Sequence, residues 1–277
     1  SDHDRWQHPG LGAQRQFQAG GRHHFRAILP GTYSLNSYSP DEQVTKDFLL
    51  KETYDLVVNV LDANAIQRNL SLTLQLLDMG KKTILAINMI DEVEKNGGKI
   101  DNEEISNMLG VPALLVSAKE KRGIDELIKK ILEMYEFGKA DNRLSYDQHI
   151  DEAISKLAQS LSKDKDLAPY AKFTAIRLLE NDKEMYKIVH DQPVFLEFHD
   201  VFTKESENLR TLAGEDDTPT VMVNAKISIA KWICQRAVKA KHKETLTEQV
   251  DKILIHRIAG LPIFLALMWL LFQMTFT

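Results

Sequence analysis

Between residues 55 and 135 the sequence alternates two hydrophobic periods, and this limits the possible folds more than any other feature of the chain. DLVVNVLD (55–62), KTILAIN (82–88) and PALLVS (112–117) are short runs rich in Val, Leu and Ile, the pattern of strands buried on both faces. The stretches between them have helical spacing. NLSLTLQLLDM (69–79) repeats leucine along one face and stops at Gly80, and 102–109 is a short helix closed by Gly110. A third helix, 124–135, carries an apolar face at Ile124, Leu127, Ile128, Ile131 and Leu132. Strands and helices alternating through short loops predict a parallel sheet with helices on both sides, an α/β domain over 28–138. Ligands of such sheets bind at the carboxyl ends of the strands.

The rest of the 277 residues is organised differently. Over 143–250 helical stretches dominate, at 145–163, 169–181, 193–212 and 219–242, with breaks near Asp164, Asp191 and Gly214. Pro193 and Pro219 suit first helical turns. This predicts a small all-helical spacer domain. His190 and His199 are not at ligand spacing and read as surface histidines, so no metal or nucleophile constellation is expected there. Next comes IAGLPIFLALMWLLFQMTF (258–276), interrupted only by Gln273 and Thr275 among polar residues. A membrane-crossing helix needs about 20 apolar residues, so 256–277 is expected to be one, with a buried core helix as the alternative. Lys252, His256 and Arg257 flank it on the near side and predict that the preceding domains are cytoplasmic. The chain is therefore expected to be part of a larger membrane protein.

Residues 1–27 stand apart. They hold His, Arg and Gln but no Lys, and no strand or helix period persists in them. A disordered leader, a cloning artefact or a translated frameshift would each produce such a segment. No secretory signal opens the chain. The net charge of -5 argues against nucleic acid as a partner, and the one cysteine, Cys234, cannot form an internal disulfide.

Three signals fall where chemistry is expected. Asn88-Met89-Ile90-Asp91 directly follows the strand ILAIN. A carboxylate only accepts hydrogen bonds, so Asp91 suits the two N–H groups on a guanine edge, a pair that adenine lacks. The Asn88 amide can tie the loop together and reach the base. Alone, this spacing also fits an Asx-type helix cap. Ser117-Ala118-Lys119 follows the next strand, and a small residue there lets backbone N–H groups approach a base carbonyl. Alone, it also fits a helix-initiating turn. Their placement at the ends of consecutive strands makes the combination specific. The third signal, Leu29-Pro30-Gly31-Thr32-Tyr33-Ser34-Leu35, has the form of a turn whose Gly31 N–H could contact a γ-phosphate, since no Cβ blocks close approach.

LPGTYSL, SPDEQVTKDFLL, DLVVNVLDANAIQRNLSLTLQLLDMG, NMID, SAK and HRIAGLPIFLALMWLLFQ together resemble the ferrous iron transport protein B family over residues 29–277. The resemblance implies a Ras-like P-loop GTPase domain (here incomplete at its N-terminus), an all-helical spacer often called a GDI domain, and the first transmembrane helix of a transporter for ferrous iron. It implies GTP or GDP with magnesium as cofactors. The implied partners are the inner or plasma membrane, the rest of the transporter and small accessory subunits. By the same resemblance Asn88 and Asp91 would read guanine, Met89 would cover the base where many GTPases have Lys, Ser117, Ala118 and Lys119 would support it, and Gly31 would lie at the γ-phosphate.

The phosphate side departs from that pattern. No G-x-x-x-x-G-K-[ST] loop is found in residues 1–28, a switch-region threonine is not identifiable, and Ile28 stands where a magnesium-binding Asp is expected. The sequence thus predicts weak nucleotide binding and negligible hydrolysis, because each charge-assisted hydrogen bond lost costs about 1.5–3 kcal/mol. A second reading is a non-catalytic, membrane-tethered interaction module with a degenerate G domain.

Overall fold

The computed structural model describes residues 12–19, 22–29, 31–32, 35, 39–52, 54–138 and 143–239, with isolated positions at 262, 268–269, 271–273 and 275. β1 (Gly12–Ala19) and β2 (Arg22–Ile28) pair antiparallel, Ala19 opposite Arg22, as a two-stranded sheet of their own. They lie where the sequence offers no legible strand period. α1 (Pro40–Lys51) begins at the cap Ser39, whose Oγ accepts the Glu42 N–H at 3.2 Å, with Pro40 in its first turn.

β3 (Val57–Asp62), α2 (Ile66–Asp78), β4 (Thr83–Asn88), α3 (Ile90–Lys95), β5 (Lys99–Ile100), α4 (Asn102–Leu109), β6 (Ala113–Leu115) and α5 (Ile124–Glu136) follow in order. β3, β4 and β6 form a parallel sheet in that spatial order. Its register sets Asp62 opposite Asn88 and Ile87 opposite Leu115, so the strand ends open onto one edge. α4 has the expected bounds and ends at Gly110 with φ 74°, a left-handed conformation that favours glycine.

The expectation that all three strands are buried on both faces holds for β4 and fails for β3. Asn59 and Leu61 point at α2, and Asn59 Nδ2 donates to Thr73 Oγ1 at 2.9 Å. Val60 points the other way and is 60% exposed. α5 forms as expected, yet its apolar face is only partly covered: Ile124, Leu127 and Ile131 are half-buried, while Ile128 is 50% and Leu132 47% exposed. α2 is the opposite case. It packs on β3 and β4 on one side and on the helical unit on the other, which buries Leu70, Leu74 and Leu77 completely.

The helical unit comprises α6 (Gln148–Leu161), α7 (Ala171–Leu179), α8 (Lys183–His190), α9 (Phe195–Ala213) and α10 (Thr218–Ala237). α8 fills a stretch read as a break, because Asp182 caps it by accepting the N–H groups of Glu184 and Met185. Pro193 sits in the turn before α9 rather than in its first turn, whereas Pro219 does open α10. α10 contacts both α2 and α4. The chain then returns to the α/β unit: β7 (Val238–Lys239) pairs antiparallel with β5, and the Asp101 N–H donates to the Ala237 carbonyl at 2.8 Å.

Buried charges fasten the two units. Lys226 on α10 reaches Asp78 on α2 at 2.8 Å and Glu180 at 2.5 Å, and the Tyr146 hydroxyl donates to both Asp78 oxygens. Lys46 on α1 pairs with Asp182 at 3.0 Å, which Arg177 also holds at 2.7 Å. Burial works against the charge on Lys226, but Asp78 and Glu180 outweigh it and raise its pKa. Burial would raise Asp182 too, yet Arg177, the Met185 N–H and Lys46 together hold it at about 2.

No helix among the described residues is long and apolar enough to cross a membrane. The expected membrane helix at 256–277 lies mostly outside the described residues, and the end of the expected spacer domain beyond residue 239 lies outside them.

Candidate functional site

The site is built where β4 and β6 end. β4 finishes at Asn88, and Met89 turns the chain into α3 with φ 65°, a left-handed value that is uncommon for a residue with a Cβ. That turn leaves the Met89 side chain 41% exposed and puts Asp91 in the first turn of α3. After β6 the chain makes a tight six-residue turn. Ser117 and Arg122 exchange both backbone hydrogen bonds, at 2.9 and 3.0 Å, and Lys121 takes φ 56° between them. Gly123 closes the turn at φ 75°, where a Cβ would lie 2.3 Å from the Leu115 carbonyl oxygen, so only glycine fits.

The two loops are joined directly. Asn88 Oδ1 accepts the Ala118 N–H at 3.0 Å. The fully buried Ser117 accepts the Glu120 N–H on its Oγ at 3.1 Å, and Val116 O accepts the Ile90 N–H at 3.4 Å. Between the loops opens a cavity of about 650 Å³ lined by Asp91, Glu92, Glu94, Lys95, Asn96, Lys119, Glu120 and Arg122. Asp91 and Lys119 thus face one space. Sequence reasoning placed the Ala118 N–H against a base; here it is taken up by Asn88.

Gly31 is exposed and is not among the described residues lining this cavity. Leu35, four residues on, donates its N–H to Gln75 Oε1 at 2.7 Å and sits beside Leu49 and Leu76. Ile28, in the place where a magnesium ligand is expected, is an apolar side chain 43% exposed. No group of three or more His, Cys, Asp or Glu that could hold a metal exists among the described residues.

Sequence reasoning missed Glu94, Arg122 and Asn64. Arg122 Nη2 donates to Glu94 Oε2 at 2.7 Å, and Asn64 Nδ2 donates to Glu92 Oε2 at 3.0 Å. These pairs are 28 residues apart in the chain, and no local pattern announces them. Only Gly123, a glycine between a strand and a helix, marks the turn in the sequence.

Family comparison divides the chain where its architecture does. Residues 13–131 match the model described as ferrous iron transport protein B, and residues 146–239 match the FeoB cytosolic helical domain. The chain belongs to the ferrous iron transport protein B family. The first FeoB match begins at residue 13, inside the segment that composition sets apart. Among curated relatives, an Fe(2+) transport protein A/Fe(2+) transporter FeoB fusion protein of Porphyromonas gingivalis is 35% identical over 260 residues, covering 90% of this chain and 30% of that protein. An Fe(2+) transporter FeoB of Methanocaldococcus jannaschii is 35% identical over 97% of this chain and 40% of its own length. The chain thus spans about a third of the length of the FeoB relatives it matches. Of solved structures, a GDP-bound mutant of NFeoB from S. thermophilus superposes with a TM-score of 0.69 at 29% identity, over 82% of this chain and 90% of that one. The cytosolic domain of the T. maritima FeoB iron transporter in apo form gives 0.65 at 28% identity, over 81% and 84%.

Proposed function

We propose that the chain is the guanine-nucleotide-reading cytosolic portion of a ferrous iron membrane transporter, with a formed base side and a weak phosphate side. The observation that carries this is the Asn88–Ala118 hydrogen bond, which joins two strand-end loops around a cavity shared by Asp91 and Lys119. In this reading the Asp91 carboxylate accepts from the two N–H groups of the guanine edge. Met89 covers one face of the base, Lys119 lies along the other side, and the contacts of Asn88, Ser117 and Ala118 keep the two loops in register beside it. A solved relative bound to GDP and another bound to mGMPPNP support guanine nucleotide as the ligand class.

The phosphate side does not match magnesium nucleotide equally well. Ile28 supplies no oxygen for a hard cation, and the chain contains no phosphate-loop motif. No catalytic step is therefore assigned, and Gly31 is the one candidate phosphate contact. The apolar run 258–276 would anchor the chain in the inner or plasma membrane with both folded units on the cytoplasmic side. Ferrous iron would be the cargo of the whole transporter. The fusion relative from P. gingivalis supports a small accessory subunit as a partner.

The test is calorimetric titration of the full chain with GDP, ADP and GTP, with and without magnesium. GDP binding weaker than micromolar, preferred over ADP by about tenfold or more, is expected, since about 1.4 kcal/mol of base contact is worth one decade. Asp91→Ala should erase the preference. Equal affinity for GDP and ADP would remove the base site, and micromolar, magnesium-dependent GTP binding would remove the weak phosphate side. The lack of a phosphate-loop motif also favours a second reading, a membrane-tethered interaction module that binds no nucleotide. Saturable GDP binding excludes it.

A further inference from the structure

The cavity presents more carboxylates than one base edge can use. Asp91, Glu92, Glu94 and Glu120 all line it. A purine donating two N–H groups is held by whichever carboxylate faces it, so selective reading requires that competitors be engaged. Two of them are. Glu92 accepts from Asn64 Nδ2 at 3.0 Å, and Asp62 Oδ1 at the end of β3 holds Asn64 through its backbone N–H at 2.8 Å. Glu94 accepts from Arg122 Nη2 at 2.7 Å. Asp91, on the same short helix, has a carboxylate that accepts no hydrogen bond from any described residue.

Arg122 is well placed to act on both loops. Its backbone is locked to Ser117 by the two hydrogen bonds that close the turn, so its position is set by the segment carrying Ala118 and Lys119. Its guanidinium spans from that turn to α3, with the charges of Glu94, Glu120 and Asp91 all acting on it.

We propose that Arg122 is a positioning residue for base recognition: by holding Glu94 it keeps α3 docked on the 117–122 turn and leaves Asp91 as the one α3 carboxylate presented to the guanine edge. This rests on the base-site reading above. Arg122 and Glu94 are about half exposed, at 47% and 49%, so the effect is graded rather than absolute.

The experiment compares the full-length wild type with Arg122→Ala, Arg122→Lys and Glu94→Gln, with Lys130→Ala on α5 as a control for loss of a surface ion pair. GDP and IDP are titrated into each; they differ only in the 2-amino group that a carboxylate would accept. Arg122→Ala and Glu94→Gln should each shrink the GDP/IDP affinity ratio by roughly two- to fivefold, the range of a surface ion pair, with a smaller loss for IDP, which keeps the ring N–H but not the 2-amino group. Arg122→Lys should recover part of the ratio and the control all of it. Amide exchange in the nucleotide-free chain gives an independent readout: residues 89–95 and 117–122 should exchange faster in Arg122→Ala. An unchanged ratio in Arg122→Ala overturns the proposal, as do equal losses for GDP and IDP or no rescue by Lys. If the wild type itself fails to distinguish GDP from IDP, the base site falls. In that case unchanged exchange in the two segments also rejects the docking role of Arg122, and faster exchange upholds its docking half alone.

Discussion

Lys226 shows how much a single buried charge can hold. It is 7% exposed and has a carboxylate on each side, Asp78 from the α/β unit and Glu180 from the helical unit. Lys226→Met would leave the buried Asp78 without its cation, while Glu180 keeps only Arg177. The expected cost is about 3–5 kcal/mol, read as a lower urea midpoint at pH 7. Asp182 makes a pH prediction. Its folded pKa, at about 2, lies below the ordinary carboxylate value, so its stabilisation is complete above about pH 4 and is lost as pH falls toward 2. Acid titration of stability should show a steeper loss between those values in the wild type than in Asp182→Asn. Neither residue was legible in the sequence, because Lys46–Asp182 joins positions 136 apart and a pairing at that range leaves no local pattern. Asn88 and Asp91 stand out in the sequence as candidates because they follow a recognisable strand and a carboxylate there has specific acceptor chemistry.

At the level of elements, the turn after β6 and the face of α5 make opposite predictions. Gly123→Ala would drive a Cβ into the Leu115 carbonyl and force a left-handed backbone on alanine. It should cost at least about 1–2 kcal/mol, measured by thermal unfolding, and should weaken any GDP preference with it. Leu132 on α5 has the apolar spacing of a core residue but is 47% exposed. Leu132→Ser should therefore change stability by no more than about 0.5 kcal/mol, whereas Leu74→Ala in the wholly buried α2 should cost about 2–5 kcal/mol. α2, α4, α5 and the three parallel strands between residues 55 and 136 were readable because their periods are strong, whereas α3, six residues long, has too few turns to show one. α8 was not, since its start depends on a cap, Asp182, that is also spent on Lys46 and Arg177. β1 and β2 were not, since antiparallel backbone pairing needs no apolar alternation to form. β5 and β7 are two residues each, too short for any period.

For the molecule as a whole, sequence divides the chain into an α/β unit over 28–138 and a helical unit over 143–250, and the family models match 13–131 and 146–239. Packing unites them. One core cluster runs from Leu61 on β3 through Leu74 and Leu77 on α2 to Met222 and Ile233 on α10. Calorimetry should accordingly show a single unfolding transition for the described region, and two separated transitions would contradict a shared core. The return strand adds a mechanical constraint. The polypeptide leaves the α/β unit after α5 and comes back at β7, stitched to β5 just beyond the helix that bears Asp91. A body moored at one point can swing in any direction, but one moored at two can only rock about the line joining them. With the shared core and the Lys226 and Lys46 ion pairs added, the helical unit has little freedom left against the α/β unit, and its second mooring stands close behind α3.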